Sequence, residues 1–295
     1  MTSRLVAAAR EAESKRPDRL FDDPYAGALA RDEGRAMLKM VYELGTRALA
    51  SDEGRAMLNM HALGGMPSEA DRTPEDPYLV FRTRFFDDTL LETASQGLRQ
   101  IVILAAGMDT RALRLKWPQG TTVFEVDRPE VLQYKEAILS EFGVKPQVRR
   151  VTIALDLRED YVAALRSAGY ASDERAVFLV EGLLPYFSDE DAVCGLFSTI
   201  ASAVGPGSCI AFDTLSASFL TSGSAKPFVD ALTAKDIVWK FGTDWPEALL
   251  QRCGFSDPRV VEPAQLPYRS WPFAHVPRST PGIPRWFLVT ANKVH

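Results

Sequence analysis

The chain has 295 residues and a formal charge of −5, with 34 Lys and Arg against 39 Asp and Glu. Hydrophobic residues make up 46% and charged residues 25%, a globular composition that excludes a wholly disordered or fibrous chain. Proteins that live on phosphate backbones carry a basic excess, so the acidic balance argues against nucleic acid as a partner. No run of about 18 apolar residues is available to cross a membrane, and the opening MTSRLVAAAREAESKRPDRLF has no apolar block of signal-peptide length. Cys194, Cys209 and Cys253 are odd in number and far apart, without metal-ligand spacing. They predict buried thiols, no metal and a cytoplasmic protein.

The first hundred residues predict helix. Ala, Leu and Glu recur at helical spacing over 4–13; Pro17 and the Asp22-Asp23-Pro24 cluster break the pattern, and Pro24 is suited to open the next helix. RDEGRAMLKM (31–40) returns as SDEGRAMLNM (51–60), a two-copy repeat too short for a solenoid. The Gly/Pro/acid-rich stretch 63–77 reads as a loop. From residue 100 short apolar runs alternate with helical segments: 101–106, 121–126, 148–155, 176–182, 208–215, 258–263 and 285–292. Seven strands alternating with helices predict an α/β fold with a mostly parallel sheet covered on both faces, the last two strands forming an antiparallel pair. Residues 214–240 read as an insertion after the fifth strand.

Ligands of an open parallel sheet bind at the carboxyl ends of its strands. After the first strand, Ala105-Ala106-Gly107-Met108-Asp109 makes a turn with one glycine, where a dinucleotide site needs three. Asp109 beside it disfavours an anion, which suits a phosphate-free nucleoside. After the second strand, Asp127 stands 20 residues past Gly107, where a nucleotide site keeps the acid that accepts both ribose hydroxyls. Asp127 also fits a helix N-cap, and Glu125 is the weaker ligand candidate. After the third strand, the Asp156 carboxylate and a backbone N–H at the strand end could read an adenine edge, with capping by Asp156 as the other reading. After the fourth, Glu181 ends an apolar strand, and buried acids need partners; it could take an ammonium group, Gly182 would admit a substrate to the backbone, and Tyr186 would line the acceptor side.

DRLFDDPYA, FRTRFFDDTLL, IVILAAGMDTRALRL, FEVDRPEV, ALDLRE and VEGLLPYF, in this order between about residues 10 and 190, resemble the leucine carboxyl methyltransferase superfamily. Its members are class I S-adenosylmethionine-dependent methyltransferases, among them the enzyme that esterifies the C-terminal leucine of a protein phosphatase and bacterial polyketide-type O-methyltransferases. AGMDTR with FEVD and DLR is the most specific part; beyond residue 190 only the strand–helix order agrees. The resemblance implies a Rossmann-like methyltransferase sheet, with an N-terminal helical lid over residues 1–90 and the methyltransferase domain over 91–295. It implies S-adenosyl-L-methionine as cofactor, with Asp127 on the ribose, Asp156 and Leu157 on the adenine, Glu181 at the methionine end and Arg82 (or Arg84) on the methionine carboxylate. Arg10 is the nearest match to an assisting basic residue of the first helix. Ala105 and Gly107 form the turn, and Ala105 stands where the family often has glycine.

The implied activity is O-methylation of a carboxylate, or of a phenolic or alcohol hydroxyl, on a small molecule such as a secondary metabolite. Apolar residues of the lid and insertion (Met57, Met60, Phe85, Phe86, Phe219, Phe228) would line the acceptor pocket or simply form core; Phe85 and Tyr186 are the substrate-binding candidates. His61, His275 and His295 read as structural or surface groups, so no catalytic base is named. The rival readings are an NAD-dependent oxidoreductase, which shares the strand–helix alternation, and a non-catalytic S-adenosylmethionine-binding protein.

Overall fold

A computed structural model of the chain describes residues 2–50, 77–223, 225–268 and 276–293, with the side chains of 45–50 excepted. The second copy of the repeat, Met57, Met60 and all three histidines lie outside the described residues.

The seven strands are β1 (Gln100–Leu104), β2 (Thr122–Asp127), β3 (Arg149–Ala154), β4 (Ala176–Val180), β5 (Cys209–Leu215), β6 (Phe255–Val261) and β7 (Trp286–Lys293). Their spatial order is β3-β2-β1-β4-β5-β7-β6. Strands β1 to β5 run parallel, and β7 is antiparallel to both β5 and β6. The chain moves outward from β1 through β2 to β3 and then returns to β4, so strand order reverses between β1 and β4. The ligand crevice of such a sheet opens there. Strand β6 starts three residues earlier than predicted and is irregular between Ser256 and Arg259. Pro258 inside it cannot donate to the ladder.

The helices are α1 (Thr2–Ser14), α2 (Ala26–Ala50), α3 (Pro77–Ser95), α4 (Arg111–Arg114), α5 (Pro129–Glu141), α6 (Tyr161–Ser167), α7 (Glu190–Ser202), α8 (Ala217–Thr221), α9 (Lys226–Thr233) and α10 (Pro246–Arg252). Side-chain alternation divides the core into two layers. Ile101 and Ile103 of β1 face a cluster built with Ala8 of α1, Leu29 of α2, Phe86 of α3 and Ile138 of α5. Val102 and Leu104 face the other, with Leu165 of α6, Phe197 of α7 and Leu250 of α10. Both faces are therefore covered, as the apolar strands require.

Two local expectations are corrected. Pro24 does not open α2, which begins at Ala26; Pro24 lies in the preceding turn, where Asp23 accepts from the Tyr25 and Ala26 amides. Cys194 of α7 and Cys253, just past α10, form a disulfide with Cα atoms 5.7 Å apart across 59 residues of sequence. Only Cys209 is a free buried thiol, its pKa pushed up to about 12 by burial. The packing of α10 on α7 makes a pair that sequence distance hides. Disulfides are rare in reducing compartments, so the cysteines lend no support to a cytoplasmic location. Among the described residues no helix is long and apolar enough to cross a membrane.

The first copy of the repeat has a packing role. A Cβ on Gly34 would lie 2.5 Å from the Arg4 carbonyl oxygen, so glycine lets α2 approach α1.

Candidate functional site

The turn between β1 and α4 is built from two residues in the left-handed region, Ala105 (φ +52°) and Gly107 (φ +49°). A Cβ on Gly107 would come 2.8 Å from Ser3 Cβ, so α1 closes over this turn only because residue 107 is glycine. Ala105 adopts the same conformation with a methyl group, at a cost of roughly 1–2 kcal/mol. The Gly107 N–H donates to Asp127 Oδ2 at 2.6 Å, and the Arg128 N–H to Asp127 Oδ1 at 2.7 Å. The carboxylate of β2 is thus fixed against the turn of β1. Burial pushes the Asp127 pKa above its usual value, against the pull of these two amides. Asp127 does not cap α5: the cap position is Arg128, without a side-chain bond.

Beyond Asp127 the row continues. The Leu155 N–H donates to the Asp127 carbonyl at 2.9 Å, which brings the end of β3 alongside β2. Asp156 accepts from the Arg158 amide at 3.0 Å and from its guanidinium at 2.9 and 2.7 Å; these bonds hold its pKa below the usual range. The cap of α6 is Asp160, which accepts from the Ala163 amide, and not Asp156. Leu157 is half-buried and lines a cavity of about 310 Å³ with Tyr161, Phe187 and Leu196.

Beyond the end of β4, Arg82 of α3 is 5% exposed. Its Nε donates to Glu181 Oε1 at 2.9 Å and its Nη1 to Asp213 Oδ2 at 2.9 Å. No hydrogen bond engages its Nη2 among the described residues. Arg84 instead lies at the surface, bonded to Asp88 and the Leu20 carbonyl, so Arg82 is the arginine aimed at the strand ends. Glu181 also accepts from Arg111 Nη1 at 2.7 Å. Burial works to raise the Glu181 pKa, but Arg111 and Arg82 outweigh it and hold the carboxyl low.

These contacts belong to one buried network. Arg10 of α1 donates to Asp23 at 2.7 Å and to the Met108 carbonyl, so it braces the β1 turn from α1. Arg114 joins Asp23 to Asp87, and Arg111 joins Asp87 to Asp109 and Glu181. Asp109 is therefore paired with Arg111, its pKa lowered to about 2 by that partner in spite of burial. The expectation that Asp109 alone repels anions is corrected by this pairing. Among the described residues the network keeps the sign: four arginines (10, 82, 111, 114) against five acids (Asp23, Asp87, Asp109, Glu181, Asp213) leave one negative charge. Buried charges persist when paired this way.

An aromatic cluster lies beside the ends of β5 and β7. Tyr78 stacks on Trp286 at 4.1 Å, and Trp286 meets Phe219 at 5.0 Å and Trp239 at 5.7 Å. The Lys240 and Phe241 amides both donate to the Pro185 carbonyl, which pins this segment to the 3-10 turn Leu184–Tyr186 after β4. Tyr186 is exposed and donates to Thr2 Oγ1 of α1 at 3.3 Å. Trp239 Nε1 is buried and has no hydrogen-bond partner among the described residues. Phe85 does not join this group. It is 3% exposed and packs edge-to-face on Phe86 in the core, because its side of α3 faces the sheet layer.

Sequence reading missed Asp213, Arg111, Arg114 and Tyr78. Asp213 carries the same signal as Glu181, an acid at the end of an apolar strand; the arginines and Tyr78 carry none of that kind.

The residues present fit S-adenosylmethionine. Asp127 can accept from a diol, Glu181 from an ammonium, and Arg82 Nη2 can donate to a carboxylate. The β1 turn directs an amide at Asp127 and so does not make a pyrophosphate cradle.

The family model for leucine carboxyl methyltransferase matches residues 3–201. A relative from Mycolicibacterium smegmatis, whose name assigns it S-adenosyl-L-methionine-dependent methyltransferase activity, is 41% identical over 210 residues, 71% of this chain and 64% of the relative. The match therefore spans less than two thirds of that relative's length. A Mycolicibacterium gilvum relative of the same name is 38% identical over 231 residues, 78% of this chain and 71% of the relative. The crystal structure of a Thermobifida fusca protein named as a methyltransferase shares the fold at 18% identity, with a TM-score of 0.54 over 87% of this chain and 94% of that one.

Proposed function

This chain belongs to the leucine carboxyl methyltransferase family, whose cofactor is S-adenosylmethionine, and from that premise we propose that it is an O-methyltransferase acting on a carboxylate of a small molecule with an apolar body. Membership removes the nicotinamide alternative. The observation that carries the reading is the row of acids at consecutive strand ends, joined to a buried network with one excess negative charge and one uncommitted arginine donor. A cation that also bears a carboxylate and a diol matches that row group for group.

When bound, the cofactor supplies an electrophilic methyl group. In this reading Asp127 holds the ribose, Asp156 and Leu157 the adenine edge, Arg82 the methionine carboxylate and Glu181 the ammonium; Ala105 and Gly107 form the turn beneath, and Arg10 braces it through the Met108 carbonyl. Orientation does most of the work, since positioned reactants can lower a barrier by about 7–11 kcal/mol in model systems. The lid helix α1 and the Trp239 segment exclude water from the acceptor side.

A carboxylate acceptor is favoured over a hydroxyl. Burial and the nearby Asp213 raise the Tyr78 pKa well above its usual value, so Tyr78 stays protonated and does not serve as a base. A carboxylate needs no base, being ionised at neutral pH, whereas a phenol or alcohol must lose its proton. The apolar body of the acceptor would rest near Tyr186 and the Trp239–Trp286 cluster, with one of its oxygens taking the Trp239 N–H.

The test is transfer of tritiated methyl to a panel of carboxylic acids and phenols, followed by mild alkali. Volatile radioactive methanol marks an ester and supports the reading; an alkali-stable ether points to a hydroxyl acceptor. In the same preparation Asp127→Ala is expected to lower S-adenosylhomocysteine affinity by about 100-fold or more in calorimetry. Unchanged affinity removes the ribose role.

A further inference from the structure

We propose that Asp213 is a positioning residue for the methionine end of the site: it fixes both Arg82 and the backbone on which Arg82 lies. The proposal rests on the cofactor reading above. Asp213 sits near the end of β5, 1% exposed, and three donors converge on it. Arg82 Nη1 reaches Oδ2 at 2.9 Å, the Tyr78 hydroxyl reaches the same oxygen at 2.7 Å, and the Gly182 N–H reaches Oδ1 at 2.6 Å.

This arrangement solves a positioning problem. Arginine has a long, flexible stem, and anchoring a carboxylate needs the guanidinium in one orientation. Asp213 and Glu181 take Nη1 and Nε from two sides, which leaves Nη2 as the outward donor. Gly182 adopts φ +66°, and a Cβ there would lie 3.3 Å from Nη1 and 3.5 Å from Nη2. The guanidinium therefore rests against bare backbone, and Asp213 Oδ1 holds that backbone in place. Tyr78, stacked on Trp286, gives Asp213 a third fixed donor, so the carboxylate itself has little freedom.

The experiment compares two probes in calorimetry. S-adenosylhomocysteine carries the amino-acid end; 5′-methylthioadenosine keeps the adenine, the diol and the thioether but lacks it. The readout is the 5′-methylthioadenosine Kd divided by the S-adenosylhomocysteine Kd, a ratio that does not depend on the folded fraction. Asp213→Asn is expected to raise the S-adenosylhomocysteine Kd about tenfold and the 5′-methylthioadenosine Kd less than twofold. Arg82→Ala is expected to collapse the ratio at least as far.

If Asp213→Asn leaves the ratio unchanged while Arg82→Ala collapses it, the positioning role is overturned; a merely structural Asp213 gives this result, weakening both probes in step. If Arg82→Ala also leaves the ratio unchanged, the carboxylate role of Arg82 fails instead. Should Asp213→Asn not fold, Arg82→Lys keeps the charge without the fork and cannot reach Asp213, Glu181 and the ligand together. It is expected to lower the ratio, and an unchanged ratio overturns the proposal.

Discussion

Glu125 and Glu181 look alike in the sequence and differ in surroundings. Each stands on or just beyond an apolar strand and each is held by two cations. Glu125 lies inside β2, fully buried, with Lys135 at 2.7 Å and Arg150 at 2.9 and 2.7 Å. Glu136 takes the remaining charge of Arg150 at 2.6 Å, so that cluster is two acids against two bases and closed. Glu181 lies one residue past β4, where the strand gives way to Gly182, and among the described residues its network is one cation short with one arginine donor uncommitted. In the proposed reading, the unbalanced position of Glu181 at a strand end beside open backbone is a ligand position, and the balanced mid-strand position of Glu125 is structural.

The largest effect expected from this contrast is at the closed cluster. Lys135→Met leaves Glu125 facing Arg150 with too little positive charge, and removing one partner of a buried pair costs about 3–5 kcal/mol. Urea unfolding should report that loss, while the folded variant binds S-adenosylhomocysteine within twofold of the parent. A large change in its affinity would break the division between the two clusters.

A smaller effect separates Glu125 from Asp127, two residues apart on β2. The Glu125 pKa is lowered because Lys135 and Arg150 outweigh burial. Its contribution to stability is complete above about pH 4.5, the ordinary value, and is lost as pH falls through the lower native value. The Asp127 pKa is raised by burial. Its contribution is complete below the ordinary 3.8 and is lost as pH rises through the native value. Ribose hydroxyls donate to the ionised carboxylate, so S-adenosylhomocysteine affinity should begin to fall at a pH above 3.8 on acidification. Calorimetry of Asp127→Asn should show weaker binding without that acid limb; an identical limb in the variant assigns the titration elsewhere.

The smallest effect expected is at the β1 turn. Ala105→Gly removes a methyl from a left-handed conformation and should stabilise the protein by about 1 kcal/mol, after the added chain freedom of glycine is subtracted. A fall in melting temperature would show that the methyl is held by packing worth more than the strain.

The strand ends were legible because acids interrupting apolar runs are rare enough to notice. That pattern singles out Asp127, Asp156 and Glu181 as candidates, and Asp213 carries it too. A phenylalanine on a helix reads identically whether it faces a pocket or the sheet, and Phe85 packs in the core, the other reading the sequence leaves open. The disulfide was not legible because two cysteines 59 residues apart acquire proximity only from helix packing.

The sequence by itself determined the alternation of strands and helices, the tight turn with its single glycine and the family, because these depend on local pattern and short motifs. Tertiary structure alone decided which arginine faces the strand ends, which acids are neutralised and which donor remains uncommitted. Those outcomes depend on charges brought together from α1, α3, β4 and β5, and electrostatic balance is a property of the assembled neighbourhood, not of any segment.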